Sequence, residues 1–209
     1  MARRQGIEPD KVEMLRENNI PEWYIESCQK IKYMFPRAHA TAYVMMAYRI
    51  AFCKVHYPLA YYAAYFSIRA DAFDSDIISL GQEEVERKMK QLEAKDKMDA
   101  KEKDLYIVLQ LAWEMYIRGF TCKRVDLYKS KADRFIMLPE EKALLPPFTT
   151  LTGLGSVDAH KIEEARKDGE FSSIENMKKR TECNKTSVEA LRRHGCLEGM
   201  EESDQMSLF

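Results

Sequence analysis

The hydrophobic pattern predicts successive helices in the first half of the chain. Helical spacing of apolar residues indicates helices within PDKVEMLRENN, PEWYIESCQKIKYMF and LAYYAAYFSIRA, with breaks before Pro36 and at Pro58. The stretch from Thr41 to His56 is apolar on most sides, and Arg49 and Lys54 are its only charges. This pattern predicts a buried helix that is too charged and too short for a membrane span.

The pattern changes after residue 80, and the long helices end near residue 120. QEEVERKMKQLEAKDK has only a thin apolar stripe, which predicts a largely solvated helix, and KEKDLYIVLQLAWEMYIRGF has a full apolar face that ends before Gly119. Short stretches with strand character follow in CKRVDLYKS and RFIML. We therefore expect a mainly α protein: a helical portion over 1–120, a small α+β unit over 121–200, and a flexible tail over 201–209.

Composition excludes several classes of protein. A net charge of −1 over 209 residues gives no global attraction to nucleic acid, so such binding must come from local basic patches. Five cysteines without a C-x-x-C pair favour reduced thiols over a disulfide framework or a zinc site. The amino-terminal residues lack the apolar segment of a secretory signal, and no run approaches the ~20 apolar residues of a membrane helix. We expect a cytoplasmic protein with no membrane partner.

Two glycines near residue 154 provide the strongest chemical signal. In FTTLTGLGSVDAHKIEEAR, Gly153 and Gly155 precede a helix whose inner face carries Ala159, Ile162 and Ala165. A turn of this kind brings backbone N–H groups and a helix N-terminus close to a phosphate, as in a helix-hairpin-helix that holds the DNA backbone without reading its sequence. The alternative is an ordinary corner between helices whose glycines relieve crowding.

A second unit downstream favours the DNA interpretation. It consists of FSSIENMKKR and NKTSVEALRRHGCL, with Gly195 as a C-terminal cap. Paired units of this kind straddle a duplex. Basic residues surround the two units: Lys161, Lys178, Lys179, Arg180, Lys185, Arg192 and Arg193. We predict DNA-backbone contacts from Gly153, Gly155, Lys161 and Lys185.

Two further clusters are weaker candidates. In KIKYMFPRAHATAY, the side chains of Lys30, Lys32, Arg37 and His39 could neutralise a triphosphate or a DNA backbone, although spacing alone favours a solvated face and a turn histidine. Asp74 and Asp76 have the D-x-D spacing of a two-metal site. They lie among turn residues without a strand to present them, so we do not predict metal binding there, and we interpret Asp126 as the end of a strand.

Long stretches of the sequence also resemble a known protein family. PEWYIESCQKIKYMFPRAHATAYVMMAYRIAFCKVHYPLAYYAAYFSIRADAFD is similar to the fingers region of the PolC-type replicative DNA polymerase III of low-GC Gram-positive bacteria. The family's Phe-Pro-Lys-Ala-His-Ala-Ala-Ala-Tyr run corresponds to Phe35–Tyr43, with Arg37 in place of lysine and Thr41 in place of alanine. GFTCKRVDLYKSKADRF, the glycine turn and RRHGCLEGM follow in family order, so the resemblance covers essentially the whole chain.

The resemblance implies a role for each part of the chain. Residues 1–120 would be a portion of the fingers, with Lys30, Lys32, Arg37, His39 and Arg49 near the incoming dNTP or the primer-template DNA. Residues 121–200 would be a connector and a duplex-binding domain. The tail resembles the family's sliding-clamp box, in which Gln205 bonds at the pocket rim and Met206, Leu208 and Phe209 enter or flank the apolar groove of the bacterial sliding clamp.

The resemblance also implies what the chain lacks. The palm, with the aspartates that hold Mg²⁺, and the amino-terminal parts of the polymerase lie upstream of the matched region. We expect no catalytic residue, metal or cofactor in this chain, and an isolated fragment that does not polymerise. The alternative from another class is a non-catalytic, stand-alone module that binds DNA and the clamp.

Overall fold

The computed structural model describes residues 7–30 and 36–204, and within them the protein is mainly helical, as the sequence predicts. The chain divides into two compact units, Met1–Ala51 and Phe52–Phe209. The domain bounds at residues 120 and 200 remain predictions. Among the described residues, each helix is too short or too polar to cross a lipid bilayer.

The first unit contains two short helices and most of a long one. They are α1 (Pro9–Glu17), α2 (Glu22–Lys30) and α3 (Arg37–His56). Arg16 of α1 forms two hydrogen bonds with the carboxylate of Glu22, from Nε at 3.0 Å and from Nη2 at 2.6 Å. This pair joins the start of α2 to the end of α1.

The prediction that the helix around residues 41–56 is buried is wrong. No residue of α3 is buried. Its exposed large apolar side chains are Tyr43, Val44, Met45, Met46, Tyr48, Ile50, Phe52 and Val55. The apolar pattern shows that this helix prefers to be covered, but it does not show that this chain supplies the cover. Large apolar side chains exposed in this number on one helix are typical of a site that binds another protein surface.

After the end of α3, the second unit continues with four helices and a small sheet, which together we call the helical layer. The helices are α4 (Pro58–Ile68), α5 (Ser75–Ile78), α6 (Gln82–Glu93) and α7 (Ala100–Ile117). The predicted stripe of α6 is correct, because Val85 and Leu92 are buried against the same core as Leu109. A capping box between Asp99 and Glu102 starts α7, and Gly119 follows its end with a φ of 80°.

A three-stranded sheet closes the helical layer. Its strands are β1 (Thr121–Cys122), β2 (Ile136–Leu138) and β3 (Ala143–Leu145), in the order β1-β3-β2. β3 runs parallel to β1 and antiparallel to β2. Of the two stretches with strand character, RFIML contains β2, whereas CKRVDLYKS shares only Cys122 with β1. The sequence does not predict β3, because its residues are all buried and show no alternation.

Three helices with a separate core form the remainder of the unit, which we call the hairpin module (residues 148–203). They are α8 (Ser156–Ala165), α9 (Ile174–Thr181) and α10 (Lys185–His194). Ala159, Ile162 and Leu191 are fully buried in this core, and Ala165 packs against it. The predicted inner face of α8 is therefore correct, as is the C-terminal cap of α10 by Gly195, whose φ is 85°.

After α10 the chain returns to α9 in a short stretch that we call the return segment (Glu201–Ser203). The carbonyl oxygens of Glu201 and Glu202 accept hydrogen bonds from the N–H groups of Ile174 and Glu175 at 2.9 and 3.0 Å. The carboxylate of Glu202 pairs with Arg192, and Ser203 donates to the carboxylate of Glu175. The expected tail thus begins with attached residues, because the first N–H groups of a helix need acceptors.

Candidate nucleic-acid interface

The glycine pair predicted as a phosphate site lies in the turn before α8, which we call the first turn (residues 152–155). Leu151 and Leu154 are buried and fix the turn on the module core. Gly153 has a φ of 98°, and a Cβ atom there would lie 3.3 Å from Cγ2 of Thr186 on α10. The fold itself therefore requires glycine at position 153.

Gly155 differs, because nothing within the protein requires it to be glycine. Its φ and ψ of −79° and 161° are accessible to any residue, and a Cβ atom would meet no atom within 4 Å. Gly155 is the exposed N-cap of α8. Within the described residues, the N–H groups of Ser156 and Val157 have no acceptor. The start of α8 therefore has unpaired N–H donors and the positive end of the helix dipole. Because Gly155 has no side chain, nothing at that position covers them.

The second turn (Glu182–Asn184) joins α9 to α10. Glu182 occupies the left-handed region, with a φ of 50°, and its carboxylate is exposed. The side chain of Asn184 caps α10 by accepting from the N–H of Ser187 at 2.9 Å. This turn is less open to an anion than the first, because a carboxylate stands beside it.

A buried carboxylate that the sequence analysis missed joins the two turns. Asp158 is the third residue of α8. Its Oδ2 accepts from the side-chain amide of Asn184 at 2.9 Å and from Oγ of Ser187 at 2.6 Å. The backbone N–H of Asn184 also donates to this oxygen, at 3.3 Å. The N-termini of α8 and α10 therefore lie side by side, and their dipoles act on the same region of the surface.

The basic residues around the turns fall into two groups. Lys185 is exposed at the start of α10, and Lys161 lies 4.0 Å from the carboxylate and 3.5 Å from the carbonyl oxygen of Glu182. Arg180, Arg192 and Arg193 are instead engaged within the protein: Arg192 pairs with Glu202, and Arg193 binds Asp76 and the carbonyl oxygen of Thr152. Arg180 donates to carbonyl oxygens of residues 165, 169 and 170 and lies 4.5 Å from the ring centroid of Phe171. The basic surface is thus made mainly by lysines.

The remaining predicted contact residues lie on α2 and α3 or outside the described residues. Nζ of Lys30 lies 3.8 Å from a carboxylate oxygen of Glu26, and the ring centroids of His39 and Tyr43 are 4.4 Å apart. Arg37 and Arg49 are exposed on α3, 12 residues apart in the sequence. No contact brings these residues into one cluster within the described part of the chain. Lys32 and the tail residues Gln205, Met206, Leu208 and Phe209 fall outside the described residues.

Asp74 and Asp76 do not fit a magnesium site, because both are engaged within the protein. Asp74 caps α5 by accepting from the N–H of Asp76 at 3.0 Å, and burial, with the nearby charge of Asp76, raises its pKa. Asp76 contacts Arg193 and His194 at the end of α10, at 3.2 and 2.7 Å. In the described residues no group of three His, Cys, Asp or Glu side chains could hold a metal ion.

Asp126 is a turn residue rather than the end of a strand. Its carboxylate accepts from the N–H groups of Tyr128 and Lys129 at 2.8 and 2.9 Å. β1 ends at Cys122, because the chain leaves the sheet there to reach the hairpin module. The structure corrects that interpretation.

Comparisons with known proteins agree with this geometry. Residues 119–206 match the helix-hairpin-helix motif family. Proteins called DNA polymerase III PolC-type are similar to 98% of the chain: those of Bacillus subtilis, Clostridium perfringens and Caldanaerobacter subterraneus are 50%, 49% and 48% identical over 207, 206 and 206 residues. The chain spans only 14–15% of the length of these relatives. The resemblance found in the sequence is confirmed.

Proposed function

Because the chain is homologous to one segment of the PolC-type DNA polymerase III proteins, we propose that it is the carboxy-terminal part of a bacterial replicative DNA polymerase. It contributes three functions to DNA-templated DNA synthesis. These are fingers contacts with the incoming dNTP and the primer-template DNA, binding of the duplex, and attachment to the sliding clamp. The nucleotidyl-transfer chemistry, with its Mg²⁺, belongs to a palm outside this chain.

The observation that carries duplex binding is the geometry of Gly155. The protein leaves space around this residue and does not need its conformational freedom, so the missing side chain serves an approach from outside. The unpaired N–H groups beside it suit a phosphate oxygen, and Lys161 and Lys185 add positive charge. Contacts of this kind hold the backbone and read no sequence.

The exposed apolar surface of α3 supports the fingers assignment. A helix with eight exposed large apolar side chains, from Tyr43 to Val55, suits a piece of a larger protein better than a free module. Along the same helix, Arg37, His39 and Arg49 supply charge or hydrogen-bonding groups for a triphosphate or a template strand, together with Lys30 and Lys32. We propose that these residues act only when the palm and the amino-terminal parts are present, so the chain alone does not polymerise.

The tail is proposed to bind the bacterial sliding clamp. Gln205 would bond at the rim of the clamp groove, and Met206, Leu208 and Phe209 would provide apolar contacts. Two buried apolar side chains contribute about 1.5–3 kcal/mol each, while ordering several residues costs about 1 kcal/mol apiece. The peptide alone would bind weakly, and attachment to a DNA-bound module would raise its effective concentration.

A salt titration with two matched lysine variants tests duplex binding. Lys185→Gln removes a positive charge at the start of α10. Lys167→Gln removes a positive charge just after the C-terminal end of α8, where Lys167 pairs with Glu164. We expect Lys185→Gln to lower the slope of log K against log[salt] by about 0.9, and Lys167→Gln to leave it unchanged. Equal slopes for both variants and the parent would refute the interface.

The second candidate, a stand-alone module that binds DNA and the clamp, is favoured by the separate core of the hairpin module. The two functions differ in what happens when the palm is supplied. Mixing the chain with the upstream part of a homologous polymerase should restore primer extension if the chain is a polymerase portion. Absence of extension, with duplex binding intact, would favour the stand-alone module.

A further inference from the structure

The helical layer and the hairpin module meet at a polar contact that no motif predicts. Oδ1 of Asp76 lies 2.7 Å from Nδ1 of His194, and Oδ2 lies 3.2 Å from Nη2 of Arg193. Oγ of the neighbouring Ser75 lies 2.7 Å from Oγ1 of Thr150, and both residues are buried. The short helix α5 of the layer thus contacts the module at two places. Ser75 contacts Thr150 just before the first turn, and Asp76 contacts the end of α10.

Arg193 carries this contact into the first turn. Its Nη2 donates to the carbonyl oxygen of Thr152 at 2.7 Å. Thr152 immediately precedes Gly153, where a Cβ atom would lie within 4 Å of the side chains of Thr186 and Ala190 on α10. The position of the turn therefore depends on α10, and the carboxylate of Asp76 holds the guanidinium that braces it.

His194 occupies the centre of the contact and is 2% exposed. Its Nε2 accepts from the N–H of Val125 at 3.0 Å, so the ring carries its proton on Nδ1 and donates it to Asp76. The charged groups around the ring are Asp76 on α5, Asp74 at the N-cap of α5, and Arg124 beside Val125. Arg193, on the same helix as His194, binds the carboxylate of Asp76. A second proton on Nε2 would remove the acceptor of the Val125 N–H and place two donors against each other.

We propose that Asp76, acting through Arg193 and His194, is a positioning residue that fixes the first turn for phosphate binding, and that protonation of His194 loosens it. This inference rests on the proposed function of the first turn. Burial lowers the pKa of His194 below its ordinary value of 6.5, while Asp76 opposes this shift. The neutral ring is thus favoured in the folded protein. The stability that it provides is complete above pH 6.5 and is lost as the pH falls below that value.

Asp76→Asn gives the sharpest test, because two explanations predict opposite signs. Removing an acidic charge should strengthen binding to DNA if only net charge matters. If Asp76 positions the turn, the same change should weaken duplex binding by about tenfold, the scale of a disrupted contact network. The matched control is Asp104→Asn, which removes an exposed acid that pairs with Arg69 on the layer. The control should bind as tightly as the parent or more tightly.

The readouts are fluorescence anisotropy with a labelled duplex and amide hydrogen exchange of the free protein. Asp76→Asn should speed exchange around residues 150–158 and leave α6 and α7 unchanged. His194→Gln keeps one donor for Asp76 and one acceptor for Val125, and it cannot titrate. It should bind like the parent at pH 7.5 and should lose less affinity than the parent between pH 7 and 5.5; the other histidines are the same in both proteins.

The outcomes separate this inference from the proposed function. Parallel pH profiles for the parent and His194→Gln, or tighter binding and unchanged exchange in Asp76→Asn, would overturn the inference alone. A parent that fails to bind any duplex would refute the proposed function, and hydrogen exchange would still decide whether Asp76 holds the turn. If Asp76→Asn does not fold, the pH profile of His194→Gln decides the matter.

Discussion

Replacement of Gly155 by serine should separate phosphate binding from folding. Serine is a better N-cap than glycine by a few tenths of a kcal/mol, and the backbone angles and the open space at position 155 accept its side chain. The free energy of unfolding should therefore rise by at most about 0.5 kcal/mol, which corresponds to about 1–2 °C in melting temperature. The protein should remain folded and become slightly more stable.

Duplex binding should weaken in the same variant. The serine side chain would stand where a phosphate approaches, and its hydroxyl oxygen would accept from an N–H of the α8 N-terminus that the phosphate needs. Loss of one charge-assisted hydrogen bond costs about 1.5–3 kcal/mol, or about 10- to 100-fold in affinity. Fluorescence anisotropy in a fixed, moderate salt concentration measures this change.

Gly153→Ala provides the contrast. The positive φ and the methyl group of Thr186 at 3.3 Å make this substitution strained, so it should lower the free energy of unfolding by about 1–3 kcal/mol. Unchanged duplex affinity in a folded Gly155→Ser protein would refute the phosphate assignment. A fall of several degrees in the melting temperature of the Gly155→Ser protein would instead show that position 155 does not tolerate a side chain.

Three further predictions concern other parts of the chain. Asp158→Ala should lower the free energy of unfolding by about 2–3 kcal/mol in urea denaturation, because Asn184 and Ser187 lose their buried acceptor; an unchanged midpoint would contradict this role. His39→Ala, placed in a complete homologous polymerase, should slow nucleotide incorporation more than it weakens duplex binding. Equal single-turnover rates in the variant and the parent would refute a role of His39 in nucleotide incorporation. Deletion of Leu208 and Phe209 should abolish clamp binding in calorimetry while duplex binding stays the same, and parental clamp affinity would refute the anchor.

Elements with a clear local signal could be predicted from the sequence. The helices α6, α7 and α8 follow apolar periodicity, and their ends carry the expected caps, such as Gly119 after α7. The first turn was recognised because two glycines before a helix are a local pattern. β3 was missed, since three buried residues have neither periodicity nor length.

Features that depend on contacts distant in the sequence could not be predicted. Asp158 and Asn184 are 26 residues apart, and Asp76 and His194 are 118 residues apart. A single sequence gives no sign that such polar residues meet in the fold. The same limit applies to α3, whose apolar residues were expected inside this chain and are exposed.

The return segment limits how far the clamp-binding residues can extend from the hairpin module. Ser203 is bound to Glu175 of α9, and the carbonyl oxygens of the two preceding residues are bound to the start of the same helix. An extended chain covers at most about 3.6 Å per residue, so Gln205 can be no more than about 7 Å from Ser203. If the proposed contact of Gln205 with the clamp holds, the clamp would therefore lie close to the hairpin module. The attachment that we propose would then use a short connection instead of a long linker.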